Sequence, residues 1–235
     1  MRILIADTTW TTMALSRDLS KAGFLLTQAE HEEAFFDFVS HGRQDAIVID
    51  YDRDGWKADK IVARIRRHAP NIPVAVIAPE EDQEALADVF RAGADTVFYS
   101  STPIVEVEAR LRALIVRNAG LTCPVVTIHG TTIDMCARKV QIAGQEVHLA
   151  RLEYEVVEML ALHPGMTVSV ENIMDQLYAW NNEPDTGVIT VYLCRIRQKL
   201  AAAGGSSEMI ETAWGQGYRM QPGDRTPGLS LVAAA

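Results

Sequence analysis

Long apolar runs are missing from this 235-residue chain. Stretches such as Ile3-Leu4-Ile5-Ala6 and Val74-Ala75-Val76-Ile77-Ala78 stop far short of the roughly 18 residues that span a bilayer. A secretory leader is not recognisable either, because Met1 to Trp10 has no apolar core and Asp7 interrupts it. Cysteine is scarce: Cys123, Cys136 and Cys194 are odd in number and form no CxxC, which excludes a disulfide framework and a zinc module. His31, His41, His68, His129, His148 and His163 show no metal-ligand spacing. These absences lead us to expect a cytoplasmic, soluble protein with no membrane partner.

An excess of positive charge is also lacking. The chain carries 22 Lys+Arg against 31 Asp+Glu, a formal net charge of −9. Residues 1–118 hold 14 basic and 19 acidic side chains (net −5), and residues 125–221 hold 7 and 11 (net −4). A sequence-blind nucleic-acid binder is normally basic. If this chain meets DNA, a local patch must do so against an unfavourable overall field.

What is present is regular. Before residue 118, short apolar strands (Ile3–Ala6, Phe24–Thr27, Ala46–Ile49, Val74–Ala78, Thr96–Tyr99) alternate with amphipathic stretches near 11–22, 30–41, 57–68, 82–92 and 103–117. In the last stretch Ile104, Val107, Leu111 and Leu114 recur at spacings of three and four, which is one buried helical stripe. Continuously apolar short strands belong to a parallel sheet covered on both faces. We therefore expect a doubly wound (βα)5 α/β domain over 1–118. Ligands of such folds bind beyond the carboxyl ends of the strands. Asp7, Asp50, Ala78 and Ser100 stand there. Two carboxylates in one crevice suit either an oxygen-ligand Mg2+ site or a phosphate acceptor, or they simply cap solvent-facing strand ends.

Leu121-Thr122-Cys123-Pro124 reads as a linker (119–124). Beyond it, strands are expected at Val125–Ile128 and Thr131–Asp134, with a hairpin Lys139–Ala143/Gln145–Leu149 turning at Gly144. Leu152, Val156, Met159 and Leu160 mark a helix that stops at His163-Pro164-Gly165. Ser169 caps a second helix whose first turn carries Glu171. A third runs from about Thr186 to Ala203. On it Ile189, Leu193, Ile196 and Leu200 fall within about 60° of arc and form the buried stripe. Opposite lie Val188, Val191, Cys194, Arg195, Gln198 and Lys199, with Tyr192 at the margin. Arg195 or Lys199 can reach guanine O6/N7 or a phosphate, and Val191 a thymine methyl. Arg197 sits on the flank, open to a structural ion pair or a DNA contact. In Ala213-Trp214-Gly215-Gln216-Gly217-Tyr218 the glycines permit a tight turn, and Tyr218 can pack back onto the domain. Residues 222–235, rich in Pro, Gly and Ala, read as a disordered tail.

Asp50, the Gly93-Ala94-Asp95 turn and the five-unit layout resemble response-regulator receiver domains. Leu149…Glu153-Tyr154, the helix Val188–Leu200 and the hairpin Glu211–Tyr218 resemble the winged-helix effector domain (125–221) of OmpR/PhoB-type regulators, especially the CtrA-like ones. The first resemblance is imperfect. Asp7 is followed by Thr8 where two adjacent acids are usual. Ala78 replaces a hydroxyl residue, and Ser100-Ser101-Thr102-Pro103 stands where Lys–Pro is expected. The loop after Asp50 is Tyr51-Asp52-Arg53-Asp54-Gly55, so only Asp52 or Asp54 could replace the lost acid. Without the Lys, no fixed cation neutralises an incoming phosphoryl group. This implies a degenerate phosphoacceptor at Asp50 beside a residual acidic pocket of Asp7, Asp52 and Asp54. It also implies no cofactor, Mg2+ included, and no enzymatic activity. The alternative is conventional phosphorylation at Asp50.

The resemblance implies a homodimer paired through the receiver-like domain, with Asp95, Glu106, Arg110 and Arg117 at the matching positions. Leu86 departs from the usual basic residue. Exposed ion pairs are worth about 0–1 kcal/mol each, so apolar contact, with Leu86 as the candidate, must supply more. These charges can also be a solvated helix face. For the effector domain, the resemblance implies double-stranded DNA as partner. Val191 and Arg195 would meet base edges, Gln198 and Lys199 would share that face, and Val188, Tyr192, Cys194 and Thr212 would line the backbone. Trp214 and Gln216 would stand at the wing tip. It further implies RNA polymerase contact at Trp180–Asp185, a segment that is equally well a plain surface loop. The combined expectation is a sequence-specific transcriptional regulator that pairs largely without phosphate. A protein-interaction adaptor that no longer binds DNA is the reading from another class.

Overall fold

A computed structural model describes residues 1–6, 9–29, 31–53, 56–79, 83–178 and 184–222. The chain divides into two compact units, Met1–Asn118 and Ala119–Ala235.

The first unit runs β1 (Arg2–Ala6), α1 (Trp10–Lys21), β2 (Leu25–Ala29), α2 (Glu32–His41), β3 (Ala46–Asp50), β4 (Asp52–Arg53), β5 (Trp56–Lys57), α3 (Ala58–His68), β6 (Val74–Ala78), α4 (Gln83–Arg91), β7 (Thr96–Tyr99) and α5 (Ile104–Asn118). Five strands form a parallel sheet in the order β2-β1-β3-β6-β7. Helix α1 packs beside α5, while α2, α3 and α4 pack in a row. Those are the two helical layers of a doubly wound sheet. Alternate strand residues supply each layer. Leu4, Ala6, Ile47, Ile49, Val74 and Val76 meet Phe35, Phe36, Val39, Ile61, Val62 and Ile65 in one core. The intervening Ile3, Ile5, Val48 and Ala75 are equally buried, which is why these strands read as apolar throughout.

The (βα)5 expectation holds, with two differences of detail. The second strand begins and ends later than Phe24–Thr27. The segment after Asp50 is also not a plain loop but includes the two-residue ribbon β4–β5.

The second unit runs β8 (Val125–Ile128), β9 (Thr131–Asp134), β10 (Lys139–Ile142), β11 (Gln145–Glu146), α6 (Arg151–Leu162), β12 (Thr167–Val168), α7 (Val170–Tyr178), α8 (Gly187–Ala202), a 3-10 turn at Ser207–Met209, β13 (Ile210–Ala213) and β14 (Gly217–Met220). An antiparallel sheet in the order β11-β10-β9-β8 precedes the helices. Its hairpin turns through Ala143 and Gly144, both at positive φ (49° and 79°), as a two-residue turn between twisted strands requires. Strand β11 is shorter than the expected Gln145–Leu149. Ser169 does cap α7, its Oγ accepting from Asn172 N at 3.1 Å.

The α8 stripe is as expected: Ile189, Leu193, Ile196 and Leu200 are wholly buried. A feature the sequence did not announce is β12, which joins β14 and β13 in a three-stranded sheet. Sheet, three helices and closing hairpin make this unit a winged helix.

Candidate nucleic-acid interface

Helix α8 presents Val191, Cys194, Arg195 and Gln198 to solvent, with Val188 and Tyr192 half-buried at the edges. Val191 is 44% exposed, a level that excludes it from the core. Arg195 makes no hydrogen bond or ion pair among the described residues; its charge helps to lower the Glu153 carboxyl, but its guanidinium is exposed and open to a ligand. The Gln198 amide donates to Cys194 Sγ at 3.6 Å.

Other members of the expected set are committed within the protein. Lys199 Nζ lies 2.6 Å from Glu153 Oε2, so it is not the free cation the sequence suggested. Glu153 is 3% exposed at its side chain, and its other role is to accept from Ala150 N at 2.7 Å. Burial raises the Glu153 carboxyl, but the hydrogen bonds from Lys199 and Ala150 outweigh it and hold the group below its ordinary value.

Tyr192 donates to or accepts from Tyr178, hydroxyl to hydroxyl at 2.8 Å. Burial and that bond push Tyr178 up to about 12. The Thr212 hydroxyl accepts from Arg197 Nη2 at 3.0 Å, and the same guanidinium donates to the Ile210 carbonyl at 2.7 Å and 3.2 Å. Arg197, left open by the sequence, is therefore a fastener between α8 and β13. Thr190 Oγ1 and Tyr218 Oη, 3.3 Å apart, fasten α8 to β14.

The hairpin is a narrow, stiff projection. Gln216 N bonds Ala213 O at 2.9 Å across the turn, with Gly215 at φ 72°. Gly217 is needed for close approach. A Cβ there would meet the Val168 carbonyl oxygen at 2.0 Å, so only glycine lets β14 lie on β12. Arg219 is paired with Glu211. Trp214 at the tip is 88% exposed, Gln216 is exposed, and Tyr218 is buried as expected.

In the first unit, Asp50 at the end of β3 accepts from Thr9 Oγ1 at 2.6 Å. Thr9 is also the N-cap of α1 and forms a capping box with Thr12. Asp7 and Asp54 lie outside the described residues, as does the side chain of Asp52, so the acidic pocket is defined only at Asp50. Ala78 is buried and Ser100 sits exposed in the turn after β7. Among the described residues no group of three or more His, Cys, Asp or Glu could hold a metal ion, and no helix is long and apolar enough to cross a membrane.

The expected pairing face needs one correction. Leu86 is 9% exposed, because α4 turns it toward the core, and it cannot supply the apolar contact. Asp95 is exposed but has partners within its own unit. Its Oδ2 accepts from Arg66 Nη2 at 2.6 Å and from Val74 N at 2.7 Å. Glu106 and Arg110 pair with each other along α5 at 2.5 Å. The exposed apolar side chains of α4, β7 and α5 are instead Phe90 (49%), Tyr99 (40%) and Val105 (73%). Periodicity could have found Phe90, since Leu86 and Val89 already define the inner side of α4.

Residues 144–220 match the family described as "Transcriptional regulatory protein, C terminal". The match covers α6, α7, α8 and the wing. Over almost the whole chain, two relatives share 27% of their residues with it. One is the "Cell cycle transcriptional regulator CtrA" of Caulobacter vibrioides, over 216 residues, 92% of this chain and 94% of that one. The other is the "Cell cycle response regulator CtrA" of Brucella ovis, over 222 residues, 94% and 96%. Over most of its length the chain is therefore similar to CtrA regulators, and over residues 144–220 to the C-terminal unit of transcriptional regulatory proteins. A solved OmpR/PhoB homologue from Thermotoga maritima, DrrB, aligns with 94% of this chain and 99% of its own at 21% identity, with a TM-score of 0.44. In this CtrA-like chain the family match leaves residues 1–143 uncovered. Of Trp180–Asp185, residues 180–183 lie outside the described residues.

Proposed function

We propose that this chain is a sequence-specific DNA-binding transcriptional regulator whose receiver-like unit pairs two copies without phosphate. The observation that carries the reading is the solvent-facing stripe of α8, with Arg195 uncommitted, on a helix fastened to a wing. Val191 and Arg195 meet base edges in the major groove. Cys194, Gln198 and Val188 line the sugar-phosphate. Lys199, Tyr192 and Thr212, each half-buried and bonded within the protein, support the helix and wing, which narrows the contact set expected from the sequence.

Asp50 Oδ2 is engaged by Thr9, and neither Ala78 nor Ser100 supplies the groups that stabilise a phosphoryl group in transfer. Pairing rests on the exposed Phe90, Tyr99 and Val105, since charge alone on this face is worth little. Two linked half-sites raise avidity through effective concentration, which an acidic, weakly contacting effector unit requires.

The test is fluorescence anisotropy with labelled duplex over a salt series, comparing the unaltered chain with Arg195→Ala. The reading expects affinity to fall by about 5- to 150-fold, the worth of one bidentate base contact, together with loss of sequence preference. Unchanged affinity and preference in Arg195→Ala would reject the assignment of α8. Absence of DNA binding by the unaltered chain would leave the adaptor reading.

A further inference from the structure

The wing holds a charge pattern that the DNA-binding reading does not explain. Between Ile210 and Met220 there is one basic residue, Arg219, and one acidic residue, Glu211, and they are bonded to each other, Arg219 Nε to Glu211 Oε2 at 3.0 Å. The nearby Arg197 donates both ways into the base of the wing, to Ile210 and Thr212. A projection of this kind carries no free cation to offer a phosphate. What it offers is the Trp214 indole, 88% exposed, at the first corner of a four-residue turn.

That indole is held out on a stiff support. Gly215 takes the positive φ the turn needs, Ala213 and Gln216 close it, and Gly217 seats β14 directly against Val168 and Ser169. A large apolar ring fixed in water loses little freedom when it is buried by a ligand, so it is prepared for contact. The complementary surface is one with flat apolar faces within reach of a narrow projection, and duplex DNA offers these where two base pairs unstack at a yielding step.

We infer that Trp214 is a stacking wedge: the indole enters the groove beside the wing, inserts partly between two base pairs and bends the duplex. The wing thus reads deformability instead of charge. Flexible pyrimidine–purine steps receive the ring at least cost, so they are selected at a position where the protein makes no hydrogen bond to a base. The inference rests on the DNA-binding reading and adds how the wing acts.

The experiment uses the full chain and a duplex of about 25 base pairs, dye-labelled at both ends and drawn from a random-sequence pool enriched by the unaltered chain. Energy transfer reports the bend, and anisotropy over a salt series reports affinity and phosphate contacts. Trp214→Ala is expected to bind about 5- to 100-fold more weakly, the worth of one base–aromatic stack. The bend should be largely lost and the salt slope unchanged, while Trp214→Phe keeps both bend and affinity. Because Trp214 is solvent-exposed, thermal melting of each variant should match the unaltered chain. Binding by Trp214→Ala with the same bend and affinity overturns the wedge alone. So does a Trp214→Arg variant that binds more tightly with a steeper salt slope and the original bend. Absence of any binding by the unaltered chain overturns the DNA-binding reading, and the wedge with it.

Discussion

Glu153, near the start of α6, holds Lys199, near the end of α8, 46 positions further along the sequence, with 2.6 Å between Oε2 and Nζ. The bond ties α8 to α6 and pairs one positive charge of α8 with a buried carboxylate. Oε2 accepts from both Lys199 Nζ and the Ala150 amide, so Glu153→Gln leaves that acceptor in place but removes the counter-charge that holds the ammonium. We expect a loss of about 1–3 kcal/mol in unfolding free energy, and a DNA-binding salt slope steeper by about 0.9 if the freed lysine meets a phosphate. The stability difference should depend on pH. Glu153 is a carboxyl held below its ordinary 4.5, so its contribution is complete above that value and fades as pH falls through the lowered one. Denaturant melts of both proteins at neutral and acid pH should converge in acid. A difference that is constant with pH would show that the charge is not the cause.

Gly215 and Gly217 are both at positive φ but for different reasons. Nothing lies within 4 Å of a Cβ on Gly215, so Gly215→Ala should cost only the backbone preference, about 1–2 kcal/mol. Gly217→Ala adds a collision with the Val168 carbonyl and should cost about 2 kcal/mol more. It should also weaken DNA binding by displacing the wing. Equal melting temperatures for the two variants would contradict the close approach of β14 to β12.

Asp95 bonded to Arg66 and Val74 N is a brace between α3, β6 and the turn before β7. Asp95→Ala should lower stability by about 1–3 kcal/mol and leave self-association per folded molecule unchanged. Val105→Asp on the exposed side of α5 should do the reverse. Sedimentation velocity beside thermal melting separates them. Loss of pairing in Asp95→Ala at unchanged stability would return Asp95 to the interface.

Asp50 with its oxygen on Thr9 should be a poor phosphoacceptor. Incubation with acetyl phosphate and Mg2+ is expected to leave the intact mass unchanged, and Asp50→Asn should pair and bind DNA as the unaltered chain does. A gain of about 80 Da, the mass of one phosphoryl group, that Asp50→Asn abolishes would establish conventional phosphorylation.

Much of this molecule is legible from periodicity alone. The apolar runs around Ile3, Ile47 and Val76 read as buried parallel strands because both faces of the sheet are covered. The three-and-four spacing of Ile189, Leu193, Ile196 and Leu200 separates the inner from the outer side of α8. What escapes is set by pairing across the sequence. Thr167 and Val168 are too few to show a period, and only β14 makes them a strand. The commitments of Lys199 to Glu153 and of Asp95 to Arg66 depend on distant partners that spacing does not reveal. For Leu86 the match to a family position points outward, against the helical period that turns it inward.

The central claim is that the outer stripe of α8 reads base sequence. Selection from a random duplex pool by the full chain, followed by sequencing, tests it most directly. The account predicts an enriched motif of two half-sites about 10–11 base pairs apart, with the positions read by Arg195 lost when Arg195→Ala replaces the unaltered chain. A pool that stays random, or the same motif at every position with Arg195→Ala, would contradict it.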